Sequence, residues 1–406
     1  PEKIVPDIRP NPESGTVDID YQLVEKSSSQ FDLSGGIGGG YVIFQAGISL
    51  TNFSTQKFFD KKAWNPFPIG DGQKLSLRVQ TNGDYYHAVS LSFTEPWLGG
   101  RKPNALSVGV YYSYQDDGFW NTTGTSEYYI GILGGSVSLA TRLKWPDDYF
   151  TFVHGLAYQQ YNVKNYTTLT AMPTGISNNI NYNFTLARNS VDQLIYPRQG
   201  SDISLAAQMT FPYSLVNGKD YSSLSPAERY KWLEYYKINF RAAWYFNLFD
   251  DLVVSTRARF GFLGQYNSKV GYSPFERFYL GGDGLTGYQL DGRELVALRG
   301  YDESSLSPDG GGMVFDKYTM ELRYPITLNE GASVYALAFF EAGNSWANFQ
   351  SFEPFKMYRS VGVGLRIFMP MFGLLGVDWG YGLDAIPGDP TASGSHFHIS
   401  INNSID

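Results

Sequence analysis

His396 and His398 stand two positions apart, so on a strand both imidazoles would share one face at a spacing able to hold a metal ion. Neither an acid nor a third histidine stands near them in the sequence, and His87 and His154 are single. The pair therefore reads as lumenal or interfacial polar residues, and no metal site is expected. The chain of 406 residues has no Cys, which removes disulfides, thiolate zinc sites, iron–sulfur clusters and thiol nucleophiles together. Gly36-x-Gly38 is a fragment of a phosphate-binding loop with no helical pattern behind it, and no Ser elbow is accompanied by a His and an Asp. The balance of 31 Lys+Arg against 39 Asp+Glu, with no basic cluster, argues against neutralising a nucleic-acid backbone. No catalytic group, cofactor or nucleic-acid partner is expected, so the scaffold itself must carry the function.

That scaffold has a period of two. Ile238, Phe240, Ala242, Trp244, Phe246 and Leu248 fall on one side of a strand whose other side carries Lys237, Asn239, Arg241, Ala243, Tyr245 and Asn247. The same alternation recurs at Ile203 to Phe211, Leu106 to Tyr114, Leu252 to Phe262 and Val361 to Ile367. A soluble sandwich also alternates, but its strands run about 5–6 residues, whereas several segments here are about twice as long, enough for a tilted strand to cross a bilayer. Charged residues make up 17% of the chain, against roughly 25% in soluble domains. The 43% hydrophobic content never forms a run near the roughly 18 residues of a membrane helix. Aromatics gather at expected strand ends (Tyr85-Tyr86, Phe93 with Trp97, Trp145, Tyr149-Phe150, Trp232, Tyr235-Tyr236), as in an interfacial girdle.

The expectation is an all-β, 16-stranded antiparallel transmembrane barrel of the outer-membrane type, with strands placed from 31–39 and 41–51 at the start to 373–383 and 394–402 at the end. Residues 1–30 stand apart: Pro1, Pro6, Pro10 and Pro12 punctuate them, then Thr16 to Glu25 reads as one soluble edge strand. The absence of an initiating Met predicts that the chain begins inside a longer precursor. Two connections are long. Ser225-Pro226-Ala227-Glu228 predicts a short helix in the one near 213–232, and the other, about 264–310, is rich in Gly.

Four segments carry a resemblance. Phe278-Tyr279-Leu280-Gly281-Gly282 and Leu298-Arg299-Gly300-Tyr301 lie in that second connection, followed by Thr319-Met320-Glu321-Leu322-Arg323-Tyr324-Pro325-Ile326 and by Phe339-Phe340-Glu341-Ala342-Gly343-Asn344-Ser345-Trp346. In this order they resemble the outer-membrane β-barrel assembly superfamily, whose members join polypeptide-transport-associated (POTRA) domains to a barrel. The resemblance implies that the tip Arg299-Gly300-Tyr301, with Gly281 and Gly282 at the loop's entry, folds into the lumen and latches there. It further implies that Arg299 pairs with Glu321 and Glu341. A planar guanidinium suits two carboxylates where Lys would offer a point charge. Glu341 stands where the family often has Asp, and it shares its parity with Phe339 and Leu337. The gap from Gly282 to Gly300 is longer than usual, which predicts an insertion at about Asp283 to Leu295.

By the same resemblance, residues 1–30 are the end of the last POTRA domain and its linker, and residues 31–406 are the barrel. Thr94-Glu95-Pro96-Trp97 is similar to an early periplasmic turn, and Ser393 to Ile399 fits a closing-strand signal. Gly35, Gly36, Gly38, Gly39 and Gly40 fall in the first barrel strand, which must meet the last near Gly394, Phe397 and Ile399. Such a run is either a curvature device or, as the resemblance implies, one edge of a lateral seam that opens and templates a client strand. The expected function is folding and inserting barrel proteins into the bacterial outer membrane without ATP, with nascent outer-membrane β-barrel proteins, assembly lipoproteins and lipid as partners. The alternative within the superfamily is a two-partner-secretion or autotransporter-assembly transporter. Outside it stand a passive porin and, more distantly, an outer-membrane enzyme using His396 and His398.

Overall fold

A chain of period two satisfies its backbone hydrogen bonds sideways, and in lipid only a closed sheet leaves no open edge facing the hydrocarbon. The computed structural model describes residues 3–11, 15–24, 29–38, 41–64, 66–83, 86–116, 127–166, 171–282, 293–329, 332–369 and 373–402. β1 (Lys3–Asn11) and β2 (Thr16–Val24) form a separate antiparallel hairpin. One edge strand was expected there, and the prolines concealed the second. Pro6 and Pro10 share parity within β1, so both imide nitrogens can face the hairpin's free edge, where a missing N–H costs no ladder bond.

The barrel follows as β3 (Ser29–Gly38), β4 (Tyr41–Phe53), β5 (Gln73–Thr81), β6 (Tyr86–Glu95), β7 (Asn104–Asp116), β8 (Tyr129–Arg142), β9 (Phe150–Lys164), β10 (Gly175–Asn189) and β11 (Gly200–Thr210). After α1 (Tyr213–Val216) and α2 (Pro226–Arg229) come β12 (Tyr236–Phe249) and β13 (Leu252–Gly264). The two-residue-spaced pattern then breaks for β14 (Phe278–Leu280) and β15 (Glu294–Val296), which pair in parallel within one connection. β16 (Val314–Asn329), β17 (Ala332–Trp346), β18 (Tyr358–Met369), β19 (Gly373–Gly382) and β20 (Ser395–Asn402) complete the chain. Sixteen of these strands, β3 to β13 and β16 to β20, form one sheet in sequence order, with β13 and β16 adjacent across the long connection. The predicted helix is α2, opened by a capping box between Ser225 and Glu228.

The sheet is inside out relative to a soluble protein. Its outer face presents Leu77, Val89, Leu91, Val110, Leu156 and Phe246 bare, while Ser76, Asn179, Asn181, Ser255, Glu321 and Arg323 are buried inside. The main apolar core is a plug in one mouth of the barrel, where Phe275, Phe278, Leu280, Val296, Leu298 and Tyr301 pack on Ile130, Tyr161, Tyr235 and Leu263. The girdle expected from aromatics at strand ends is only partly present. Trp97, Trp145 and Tyr149 are exposed, but Tyr86 and Tyr235 turn inward and are buried, their hydroxyls hydrogen-bonded to Gln80 and Asn179. Parity overrides position here: each side chain follows the face its register assigns.

Candidate functional site

The plug-forming connection, residues 265–313, is held at its root and at its tip. At the root, Lys237 of β12 lies 3.2 Å from Glu276 and 3.0 Å from Glu294, with its ammonium over the ring of Phe278. At the tip, Arg299 is buried against the inner wall. Its Nη2 donates to Glu341 Oε1 at 2.9 Å and to Glu321 Oε1 at 3.0 Å, and Nη1 lies 3.3 Å from Asp378 Oδ1. Its backbone N–H also donates to Glu341 Oε2 at 2.9 Å. The guanidinium sits 3.5 Å over the ring of Phe339, which explains why an apolar residue shares the inward face with Glu341.

The three carboxylates are themselves shared. Glu321 Oε2 accepts from Arg257 and from both Nε and Nη2 of Arg323, at 2.9 and 2.6 Å for the latter pair. Glu341 Oε1 also receives Lys317 Nζ at 3.0 Å and the Thr319 hydroxyl at 3.2 Å. Asp378 is held in a two-point grip by Arg366, at 2.8 and 2.9 Å. Beside this network lies a lumenal cavity of about 310 Å³, lined among others by Arg241, Arg257, Tyr245, Tyr335 and Asp202.

The remaining tip residues reach the last strands. Gly300 N–H donates to His398 Nε2 of β20 at 3.0 Å. Gly300 has φ +87°, and a Cβ there would stand 2.6 Å from Gly382 N and 2.8 Å from Tyr381 C, so only glycine lets the tip lie on β19. The Tyr301 hydroxyl donates to Arg359 O at 2.7 Å, and Asp302 N–H donates to Ala392 O at 2.8 Å. Gly281 and Gly282, at φ +128° and +72°, turn the entry of the loop; Gly282 N–H donates to Tyr301 O and its carbonyl accepts from Leu298. Outside the wall, Arg359 grips Asp384 through both Nε and Nη2, which holds that carboxyl below its ordinary range.

Arg299, Glu321 and Glu341 are thus in direct contact. Lys317, Arg366, Asp378 and His398 join them without having been foreseen as partners. Asp378 is the one charged residue among Leu374, Gly376, Gly380 and Gly382 on its parity, and that lone acid was the available signal. His396 does have an acid nearby once the chain folds, since its Nδ1 lies 3.4 Å from Asp302 Oδ1. Among the described residues no group of three metal-ligating side chains forms around the pair. Gly35, Gly36 and Gly38 lie in β3, whereas Gly39 and Gly40 fall outside the described residues. Gly394 precedes β20, and Phe397 and Ile399 point outward from it, exposed.

The Omp85 superfamily domain profile matches residues 69–404. The outer membrane protein assembly factor BamA of Neisseria meningitidis serogroup B (strain ATCC BAA-335 / MC58) is 23% identical over 349 residues, covering 81% of this chain and 38% of that protein. The chain therefore spans well under half the length of that relative. Among solved structures, BamA from Haemophilus ducreyi lacking POTRA domains 1-3 has a TM-score of 0.64 at 18% identity, covering 98% of this chain and 74% of that one. CdiB from Escherichia coli has a TM-score of 0.56 at 12% identity, covering 98% and 67%.

Proposed function

The chain belongs to the Omp85 superfamily, and from that premise we propose that it folds client β-barrel proteins and inserts them into the outer membrane through a seam between β3 and β20, without ATP. At the coarser level it is an outer-membrane transporter or insertase of this superfamily. In the proposed reading the hairpin β1–β2 is the end of a periplasmic POTRA domain and residues 31–406 are the barrel. The clients are nascent outer-membrane β-barrel proteins, and assembly lipoproteins are accessory partners.

One observation carries the reading. The sheet order begins at β20 and ends at β3, so the first and last barrel strands are the two terminal strands of one sixteen-stranded sheet. An edge strand offers a row of N–H and C=O groups on which an incoming strand can pair. β3 carries Gly35, Gly36 and Gly38, and glycine weakens both strand pairing and register, which suits an edge that exchanges partners. The Arg299 network supports the same reading from within. It braces β16 to β19 and, through Gly300 and His398, holds β20, so the wall on one side of the seam stays in place while the other side yields. In this reading Arg299, Gly300, Tyr301, Glu321 and Glu341 form the latch, and hydrogen bonds do the work that cofactors do elsewhere.

The natural absence of Cys makes the test clean. A set of Cys pairs, one member at Leu33 or Ile37 and the other at Phe397 or Ile399, should contain a pair that cross-links across the seam. In cells depleted of the native protein, oxidised pairs should abolish the accumulation of folded outer-membrane proteins and reduction should restore it. Unimpaired assembly with the seam locked would overturn the proposal. A second reading within the superfamily is export of one partner protein. Depletion separates them: many folded barrels are lost in the first case, and a single secreted protein in the second. Large, steady conductance in planar bilayers would instead mark a passive porin.

A further inference from the structure

Residues 54–72 connect β4 to β5 at the periplasmic rim, one strand in from the seam. The connection is built from within: Ser54 N–H donates to Pro68 O at 3.0 Å, Thr55 N–H to Gln73 Oε1 at 2.8 Å, and Gln73 Nε2 to Glu95 Oε2 at 2.8 Å. Asp60 caps the turn at Lys61–Ala63 through Lys62 N–H, and Trp64 Nε1 donates to Phe58 O at 3.0 Å.

Its position relative to the wall is readable from burial. Leu50 pairs with Leu75, Ile48 with Leu77 and Ala46 with Val79, so Leu50 belongs to the lipid-facing side. Leu77 and Val79 are each 41% exposed there, yet Leu50 and Phe53 are 3% and 5% exposed, and the Phe58 ring lies 6.5 Å from that of Phe53. The connection therefore folds against the outside of the barrel as a continuation of its lipid belt. Phe58 stacks edge-on with Phe59 at 5.3 Å and against Trp64 at 5.5 Å, and Phe59 is left 90% exposed. Lys61 and Lys62 stand exposed beside it. The nearby acids are engaged locally, Asp60 as the cap and Asp71 with the Ser54 hydroxyl. The next turn on this rim, 96–103, repeats the pairing with exposed Trp97 and Leu98 beside Arg101 and Lys102.

An ordered turn that displays a bare Phe in water wastes apolar surface, whereas aromatic rings with adjacent lysines suit the boundary between acyl chains and anionic headgroups. We infer that residues 54–72 form an interfacial wedge beside the seam, with Phe59 and Trp64 seated in the periplasmic phospholipid leaflet and Lys61 and Lys62 on anionic lipid phosphates. The inference holds whether the barrel assembles or exports its client.

A spin label at Phe59→Cys tests it, in the Cys-free full chain reconstituted in phosphatidylethanolamine vesicles with or without phosphatidylglycerol. Leu322→Cys on the lipid face and Lys219→Cys on a far-end loop serve as lipid and water references. The label at 59 should collide with oxygen in preference to a water-soluble nickel chelate, as at 322 and opposite to 219. With phosphatidylglycerol present, adding Lys61→Gln and Lys62→Gln should shift the label toward water; in its absence they should not. A water-like reading at 59, or protection from both reagents as under a second copy or another protein, overturns the wedge. No shift on removing the lysines overturns the assignment of anionic headgroups.

Discussion

The barrel wall at β16–β20 and the terminal strand β3 belong to the same sheet but are built from different residues. In the wall, Arg299 of an inserted loop joins three buried carboxylates, and these are held in turn by Arg257, Lys317, Arg323 and Arg366. Strand β3 has its ladder to β4 and three glycines. Ladder bonds alone leave a strand free to exchange partners, whereas side chains that cross from loop to wall couple several strands into one body. A seam between them joins a strand tied through His398 to the loop, β20, with a glycine-bearing strand, β3, that ladders to β4.

Removing Arg299 should erase that contrast most strongly. Arg299→Ala leaves Glu321, Glu341 and Asp378 partly unpaired in the lumen and should weaken loop docking by about 3–5 kcal/mol. Hydrogen exchange of amides 293–301 and the temperature at which the folded band disappears in a detergent gel would report it. A cycle with Glu341→Gln should be non-additive, because both changes remove the same pair. Unchanged protection in Arg299→Ala would show that the apolar plug, not the ionic tip, fixes the loop.

His398→Phe is expected to cost less, about 1–3 kcal/mol, because it leaves one buried N–H of Gly300 without its acceptor. Faster exchange confined to β20 and residue 300 would tie the tip to the closing strand. Uniform loosening would not. The contrast can also be reduced from the other side: Gly36→Val should strengthen β3 by about 0.5–1 kcal/mol, slow exchange of its amides and lower client assembly. The smallest effect belongs to Asp384, half of an exposed pair with Arg359. Its carboxyl is held below its ordinary range by the Arg359 hydrogen bonds, so its contribution is full above that range and is lost as pH falls through the depressed value. Asp384→Asn should therefore remove only the acid-side loss, seen by comparing unfolding of the two chains across a pH series.

Most of the barrel was legible because alternation is a local signal. The expected 394–402 strand is found at Ser395–Asn402 and the expected 41–51 strand at Tyr41–Phe53. The hairpin partner β1 was not, because Pro6 and Pro10 argue against a strand unless their nitrogens can face a free edge. Tyr86 and Tyr235 misled in the opposite sense, since their place near strand ends is local but the face they take is set by register.

The sequence alone determined the period, because alternation depends on residues close together in the chain, and its repetition along the chain set the strand number, whereas the inward Arg-Gly-Tyr tip was what the family resemblance implied. The tertiary structure decided which groups that tip meets. Asp378, Arg366, Lys317 and His398 come from different strands, and only the curvature and stagger of the sheet bring them to one point in the lumen. The tertiary fold likewise decided that the turn at 54–72 lies against the outer face, since nothing in its own residues states which side of the wall Phe58 will cover.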